Sequence, residues 1–155
     1  MIVFRIVHKA FSQSLVGSGH PGRWNKSGQK VIYAAESIAL AFLESMIRRQ
    51  GVGFNEDFKI MFLDIPQDLS ITTIEPASLS PGWDDIRNHS VSQERSSSWY
   101  ASLETPVLKV PSVVLPHSFN FVINTEHKDF KKIKIIDLTP LVPDPRIETI
   151  LSSRH

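Results

Sequence analysis

The sequence predicts an α+β domain with mainly antiparallel strands, on three observations. Short runs rich in β-branched and aromatic residues recur along the whole chain, at 1–7, 31–33, 58–65, 107–115, 119–123 and 133–138. One long stretch, 35–50, carries a clear helical pattern. The runs also lack the regular strand–helix alternation of a parallel sheet. The length of 155 residues suits one domain, 1–155, with a sizeable single core.

The first strand, 1–7, carries one cation, Arg5. Residues 13–28 are turn-rich, with Gly17, Gly19, Pro21, Gly22 and Gly28 among polar neighbours. A short strand follows at 31–33. The helix over 35–50 consists of good helix formers and stops at Gly51, after Arg48 and Arg49 in its last turn. Its main apolar face is Ala35, Ile38, Ala39, Phe42 and Met46. Leu40, Ala41, Leu43 and Ile47 widen that face, so cover on more than one side is expected.

Strand 58–65 ends at Pro66, and 71–74 is a weaker candidate. Residues 75–98 are polar and punctuated by Pro76, Pro81, Gly82 and Ser96-Ser97-Ser98, which predicts a long surface excursion with at most short helical turns. Strands at 107–115, 119–123 and 133–138 fill the second half. Pro111 inside the first of these predicts an edge or bulged position. Residues 144–152 form a short closing helix.

Seventeen basic and sixteen acidic side chains leave a formal charge of +1, with no like-charge block to favour nucleic acid or a membrane surface. The densest basic run, Lys131-Lys132-Ile133-Lys134, decorates the solvated face of a strand. The absence of cysteine excludes a disulfide framework, a thiolate metal site and a cysteine nucleophile. The first residues lack a cleavage pattern, and no apolar run approaches the roughly 20 residues of a membrane span. A soluble, cytoplasmic protein is the expectation.

Other chemical signals are weak. His8, His20, His89, His117, His127 and His155 show no H-x-x-x-H or H-E-x-x-H spacing, so no metal is expected. Gly17-Ser18-Gly19-His20-Pro21-Gly22 fits G-x-G-x-x-G. A dinucleotide fingerprint needs a buried strand before that motif and a helix at its end, and neither is predicted here. No G-x-S-x-G elbow is present, and Ser112 follows a proline, which speaks against an acyl-transfer triad.

Three residues stay ambiguous on spacing alone. Glu44 sits among partly apolar helix neighbours, where a carboxylate needs a reason, yet an i,i+4 ion pair with Arg48 supplies an ordinary one. Arg23 suits a phosphate or carboxylate ligand, and equally a stack on Trp24 or a surface acid. Tyr33 by type alone reads as a core aromatic.

Together, Gly22-Arg23-Trp24-Asn25, Gly28, Ile32-Tyr33-Ala34-Ala35, Ser37, Ala39-Leu40-Ala41 and Leu43-Glu44 resemble the opening signature of RES-domain proteins. Val110-Pro111-Ser112-Val113-Val114 resembles that family's serine-bearing strand. Asn120 through Asn124, His127 and Asp129-Phe130 resemble its asparagine–histidine segment, and Asp144-Pro145-Arg146 its ending. Arg5 in the first strand also fits, so the resemblance spans nearly the whole chain in order.

This resemblance implies a fold like that of ADP-ribosyltransferases and action on NAD as a substrate, with no cofactor. By motif, the family's arginine, glutamate and serine fall on Arg23, Glu44 and Ser112, with Tyr33 a further active-site position. Arg5, Asn124 and His127 are additional candidates for binding NAD. The resemblance also implies the toxin role in a bacterial toxin–antitoxin pair, masked by an Xre-like antitoxin in an oligomeric complex that meets DNA only through the antitoxin. NAD is cleaved by hydrolysis, by phosphorolysis or by transfer of ADP-ribose to a protein. An RNA-cleaving toxin and an inactive antitoxin- or DNA-complex-binding protein are the competing functions. His20-Pro21, Ser96-Ser97-Ser98, Thr125 and Lys128 depart from the family pattern at loops and turns.

Overall fold

Short β-branched and aromatic runs, several of them buried on both faces, form seven strands of one twisted sheet in the computed structural model, which describes residues 1–153. His155, one of the six histidines, lies outside the described residues. The strands are β1 (Ile2–His8), β2 (Val31–Ala35), β3 (Phe58–Asp64), β4 (Ile71–Thr73), β5 (Val107–Pro111), β6 (Phe119–Asn124) and β7 (Lys134–Pro140). They lie in the order β4-β5-β6-β2-β1-β3-β7. Every neighbouring pair is antiparallel except β4–β5. The helices are α1 (Ile38–Arg48), α2 (Ser90–Ser102) and α3 (Pro145–Ser152). The fold is thus α+β, as the sequence predicts. None of the described helices is long and apolar enough to cross a membrane.

The sheet has a weak seam. β1 pairs with β3 at seven positions and β2 with β6 at five, but β1 and β2 meet only at Phe4↔Ala35. Two halves, β4-β5-β6-β2 and β1-β3-β7, therefore splay apart beyond that pair. On one face Val3, Val7, Ile32, Ala34, Met61, Leu63, Phe121 and Ile123 form a core that bridges both halves. On the other face Trp24, Val31, Trp99, Leu108, Val110 and Val122 form a second core, and Ile6, Ala35, Leu40, Ala41 and Phe54 a third. The second includes Trp99 of α2 and the third includes Leu40 and Ala41 of α1.

Several expectations are revised. The central helix begins at Ile38, because β2 runs through Ala35 and Ser37 caps α1 by accepting the Leu40 N–H at 3.0 Å. Its fully buried positions are Leu40, Ala41 and Ser45. Ile38 is 37% and Ile47 64% exposed, so α1 is covered on one side only. Residues 75–98 are not merely an excursion, since their second part begins the 13-residue α2. That helix buries Ser92, Ser96 and Trp99, a stripe at helical spacing made mostly of serine, and so carries no apolar periodicity to read. Pro111 is not in an edge strand, for β5 lies between β4 and β6. It ends β5 two residues beyond Lys109, where β4 stops, so its missing N–H faces no ladder partner.

Candidate active site

Along β5 and β6, side chains two apart share a face, so Ser112 follows Leu108 and Val110, and Asn120 precedes Val122, on the face covered by α1 and α2. α1 brings Glu44 down onto both. Ser112 Oγ donates to Glu44 Oε1 at 2.7 Å, and Asn120 Nδ2 donates to the same oxygen at 2.6 Å. Ser112 Oγ in turn accepts the Leu115 N–H at 3.1 Å, which fixes its rotamer. Glu44 Oε2 accepts no hydrogen bond among the described residues. Among the described residues Glu44 forms no i,i+4 ion pair with Arg48, which reaches only Ser45 Oγ, at 3.5 Å.

Tyr33 is pinned at its hydroxyl, which donates to Asn25 Oδ1 at 2.5 Å and accepts the Trp24 N–H at 3.0 Å. Burial pushes its ionisation well above the usual tyrosine range, so the hydroxyl keeps its proton and remains a donor. The loop before β2 can lie this close because Gly22 has no side chain. A Cβ there would stand 2.8 Å from the Tyr33 hydroxyl and 3.0 Å from Asn25 Oδ1. Tyr33→Phe would leave the buried Asn25 acceptor and the Trp24 N–H unpaired. We expect a loss of about 1–3 kcal/mol, read as a lower midpoint in thermal unfolding.

Among the described residues Arg23 neither stacks on Trp24 nor pairs with an acid. Its Nη1 donates to the Trp83 carbonyl at 2.7 Å and its Nη2 to that of Asp85 at 3.0 Å. These bonds clasp the segment before α2 against the site, and Trp24 and Trp83 pack beneath them at 6.2 Å between centroids. Burial lowers the Arg23 pKa, while Glu44, Asp84 and Asp85 support its charge. Two of its five N–H groups are thereby used.

Arg5 closes the seam. Where β1 has diverged, the Tyr33 carbonyl accepts from Arg5 Nη1 at 3.3 Å in place of a strand neighbour. Burial, and secondarily Arg48, push the Arg5 pKa down to about 10.

Asn124 and His127 are placed elsewhere. Asn124 lies four residues, about 13 Å, along β6 from Asn120. Its side chain donates to the Tyr100 carbonyl and accepts the Glu126 N–H. His127 accepts the Asp129 N–H on Nδ1, and its buried Nε2 has no partner among the described residues. Ser112 and Glu44 thus touch directly and Arg5 bonds the Tyr33 carbonyl, while Arg23 is held by the segment before α2 and Asn124 and His127 build the turn after β6. The sequence reading missed Asn120 as the second donor to Glu44 and Asn25 as the anchor of Tyr33. A polar residue on the covered face of an otherwise apolar strand was the available signal for Asn120.

Glu44 thus has one oxygen held by two neutral donors on the face of a mostly antiparallel sheet. The chain belongs to the RES-domain family, whose model matches residues 2–146. It is similar to the Prs ADP-ribosylating toxin of Sphingobium sp. (strain YBL2), at 35% identity over 128 residues, covering 81% of this chain and 80% of that protein. It is also similar to toxin Res of Yersinia enterocolitica serotype O:8 / biotype 1B, at 28% identity over 153 residues, covering 96% and 100%. The crystal structure of the M. tuberculosis MbcT–MbcA toxin–antitoxin complex contains a chain of the same fold, with TM-score 0.75 and 17% identity. That match covers 98% of this chain and 88% of the other.

Proposed function

We propose that this protein is the toxin of a toxin–antitoxin pair and that it consumes NAD by breaking the bond between nicotinamide and ribose. The observation that carries this reading is Glu44, with one oxygen held by Ser112 and Asn120 and the other without a protein partner among the described residues. In the proposed reaction the C1′–N bond breaks and its electron pair leaves with neutral nicotinamide. Positive charge grows on the ribose, and a lone pair of the acceptor fills it. Glu44 Oε2 accepts a hydrogen bond from a ribose hydroxyl and strengthens it as that charge develops. The acceptor is water, phosphate or a protein side chain.

Tyr33 serves as a stacking surface for nicotinamide, held rigid by its hydroxyl bonds. Arg23 supplies its remaining donors to the diphosphate or adjoining ribose, and Arg5 assists it. NAD is a substrate, and neither cofactor nor metal enters the proposal. An Xre-like antitoxin is the proposed partner, covering the seam in an oligomeric complex in the cytoplasm. The likeness to proteins named as toxins supports this assignment.

The test is loss of NAD with purified protein freed of antitoxin, with and without phosphate, the products resolved by mass. NAD loss supports the reading, and the product mass identifies the acceptor. RNA loss with NAD intact points to the nuclease reading instead. Complex formation without NAD loss, protein modification or growth arrest points to a binding protein. Within the NAD reading, Ser112→Ala removes one of two donors to Glu44 and leaves Asn120 in place. Turnover should fall about tenfold, less than for loss of the carboxylate charge, as a steady-state rate comparison would show.

A further inference from the structure

Arg23 and Trp24 form the tip of a two-residue hairpin whose base is the bridge between Gly22 and Asn25. Neither tip residue has a positive φ, so the turn is not of the primed type whose twist matches its flanking strands. The bonds across its base are uneven. The Gly22 N–H donates to the Asn25 carbonyl at 3.0 Å, and the Asn25 N–H returns to the Gly22 carbonyl at 3.4 Å. Support comes from α2, where one amide, Gln93 Nε2, donates to the Gly22 carbonyl at 2.8 Å and to that of Asn25 at 3.2 Å. Each carbonyl oxygen has two lone pairs, and both are thereby used.

The residue before Gln93 holds the other end of Arg23. The Trp83 carbonyl that accepts Arg23 Nη1 also accepts Ser92 Oγ at 2.8 Å, and Ser92 is fully buried. Consecutive residues of α2 thus fix the backbone that carries Arg23 and the carbonyl on which its guanidinium rests. One turn further along α2, Ser97 bonds Gln29 and ties the same loop to the helix without a bond to the hairpin.

We propose that Gln93 is a positioning residue for Arg23, locking the hairpin so that the guanidinium meets NAD in one orientation. A guanidinium fork rewards only a matched orientation, and a displacement of about 1 Å costs up to about 10²-fold. Gln93 makes no contact with substrate in this assignment and acts through Arg23 alone. The assignment rests on the NAD reading for the role of Arg23, not for the bonds that hold it.

Calorimetric titration of the purified chain with ADP-ribose and with nicotinamide riboside, together with NAD turnover at varied NAD, tests it. Wild type is compared with Gln93→Met, which keeps the length of the side chain and removes both donors. Ser97→Ala, which removes a bond of the same kind elsewhere on α2, controls for docking of the helix. Gln93→Met is expected to weaken ADP-ribose about tenfold and to raise KM for NAD by a similar factor, with kcat changed less than about twofold. Nicotinamide riboside, which lacks the diphosphate, should bind as to wild type, and Ser97→Ala should behave as wild type throughout. In an Arg23→Ala background Gln93→Met should have no further effect, since the group it positions is gone. Should Gln93→Met not fold, Gln93→Asn, whose amide is withdrawn by one methylene, provides the same comparison. Wild-type affinity in the Gln93 variant overturns the proposal. So does an equal loss in Ser97→Ala, an undiminished loss on top of Arg23→Ala, or failure of wild type to bind ADP-ribose. ADP-ribose binding that depends on Gln93 in a protein that leaves NAD intact would keep this role and remove NAD consumption. NAD loss with ADP-ribose binding indifferent to Gln93 would do the reverse.

Discussion

Glu44→Gln is expected to lower NAD turnover by about 10²- to 10³-fold, the scale on which removal of one preorganised charge-stabilising group acts. Glutamine keeps the volume, and its carbonyl oxygen can still accept from Ser112 and Asn120, so the fold and melting temperature should change little. What disappears is the negative charge proposed to face the ribose as nicotinamide departs. Expression of this variant should no longer arrest growth in cells that wild type arrests. Rates for the two purified proteins, with circular dichroism as a fold check, decide the matter. Equal rates would remove Glu44 from the mechanism.

Asn25→Ala should be the most damaging polar substitution for stability. Asn25 is 1% exposed, and its amide donates to the carbonyls of His20, Gln29 and Lys26 at 2.8, 3.2 and 3.4 Å while its oxygen accepts from Tyr33. Gln93 of α2 adds bonds to the Gly22 and Asn25 carbonyls, so the same knot ties the loop to α2. Alanine leaves several buried groups unpaired at once, at a cost of about 2–4 kcal/mol. For a chain of this size that corresponds to a fall of about 5–15 °C in Tm. Turnover should fall as well, since the loop carries Arg23. Thermal unfolding, with amide exchange in residues 20–29, is the measurement. A melting temperature within a degree of wild type would show that the knot contributes little.

The tyrosine and serine substitutions differ from these in reach. Tyr33→Phe removes one end of the Asn25 knot but keeps the amide donors of Asn25 in place, and Ser112→Ala removes one of two donors to Glu44 and keeps Asn120.

The α+β class and most strands were legible because each depends on neighbours close in the chain. The apolar runs Ile60 to Leu63 in β3 and Phe121 to Ile123 in β6 are visible without any tertiary information. α2 was hidden for the converse reason. Its buried stripe is Ser92, Ser96 and Trp99, and small polar residues signal close packing only once the partner surface is known. The extent of α1 was similarly misjudged, since pairing of Ala35 with Asn120 holds that residue in β2 against its own helical preference.

By itself the sequence determined which reactive side chains exist, their order, and through family likeness the roles expected of Arg23, Tyr33, Glu44 and Ser112. Only the tertiary structure decided whom they meet. Glu44 is separated from Ser112 by 68 residues and from Asn120 by 76, and nothing local chooses those partners over Arg48, four positions away. The choice is made by how α1 packs on the sheet, which brings Glu44 to Ser112 and Asn120 at the ends of β5 and β6. Hydrogen bonds across such separations depend on how whole elements pack, and packing is a property of the assembled sheet, not of any window of residues.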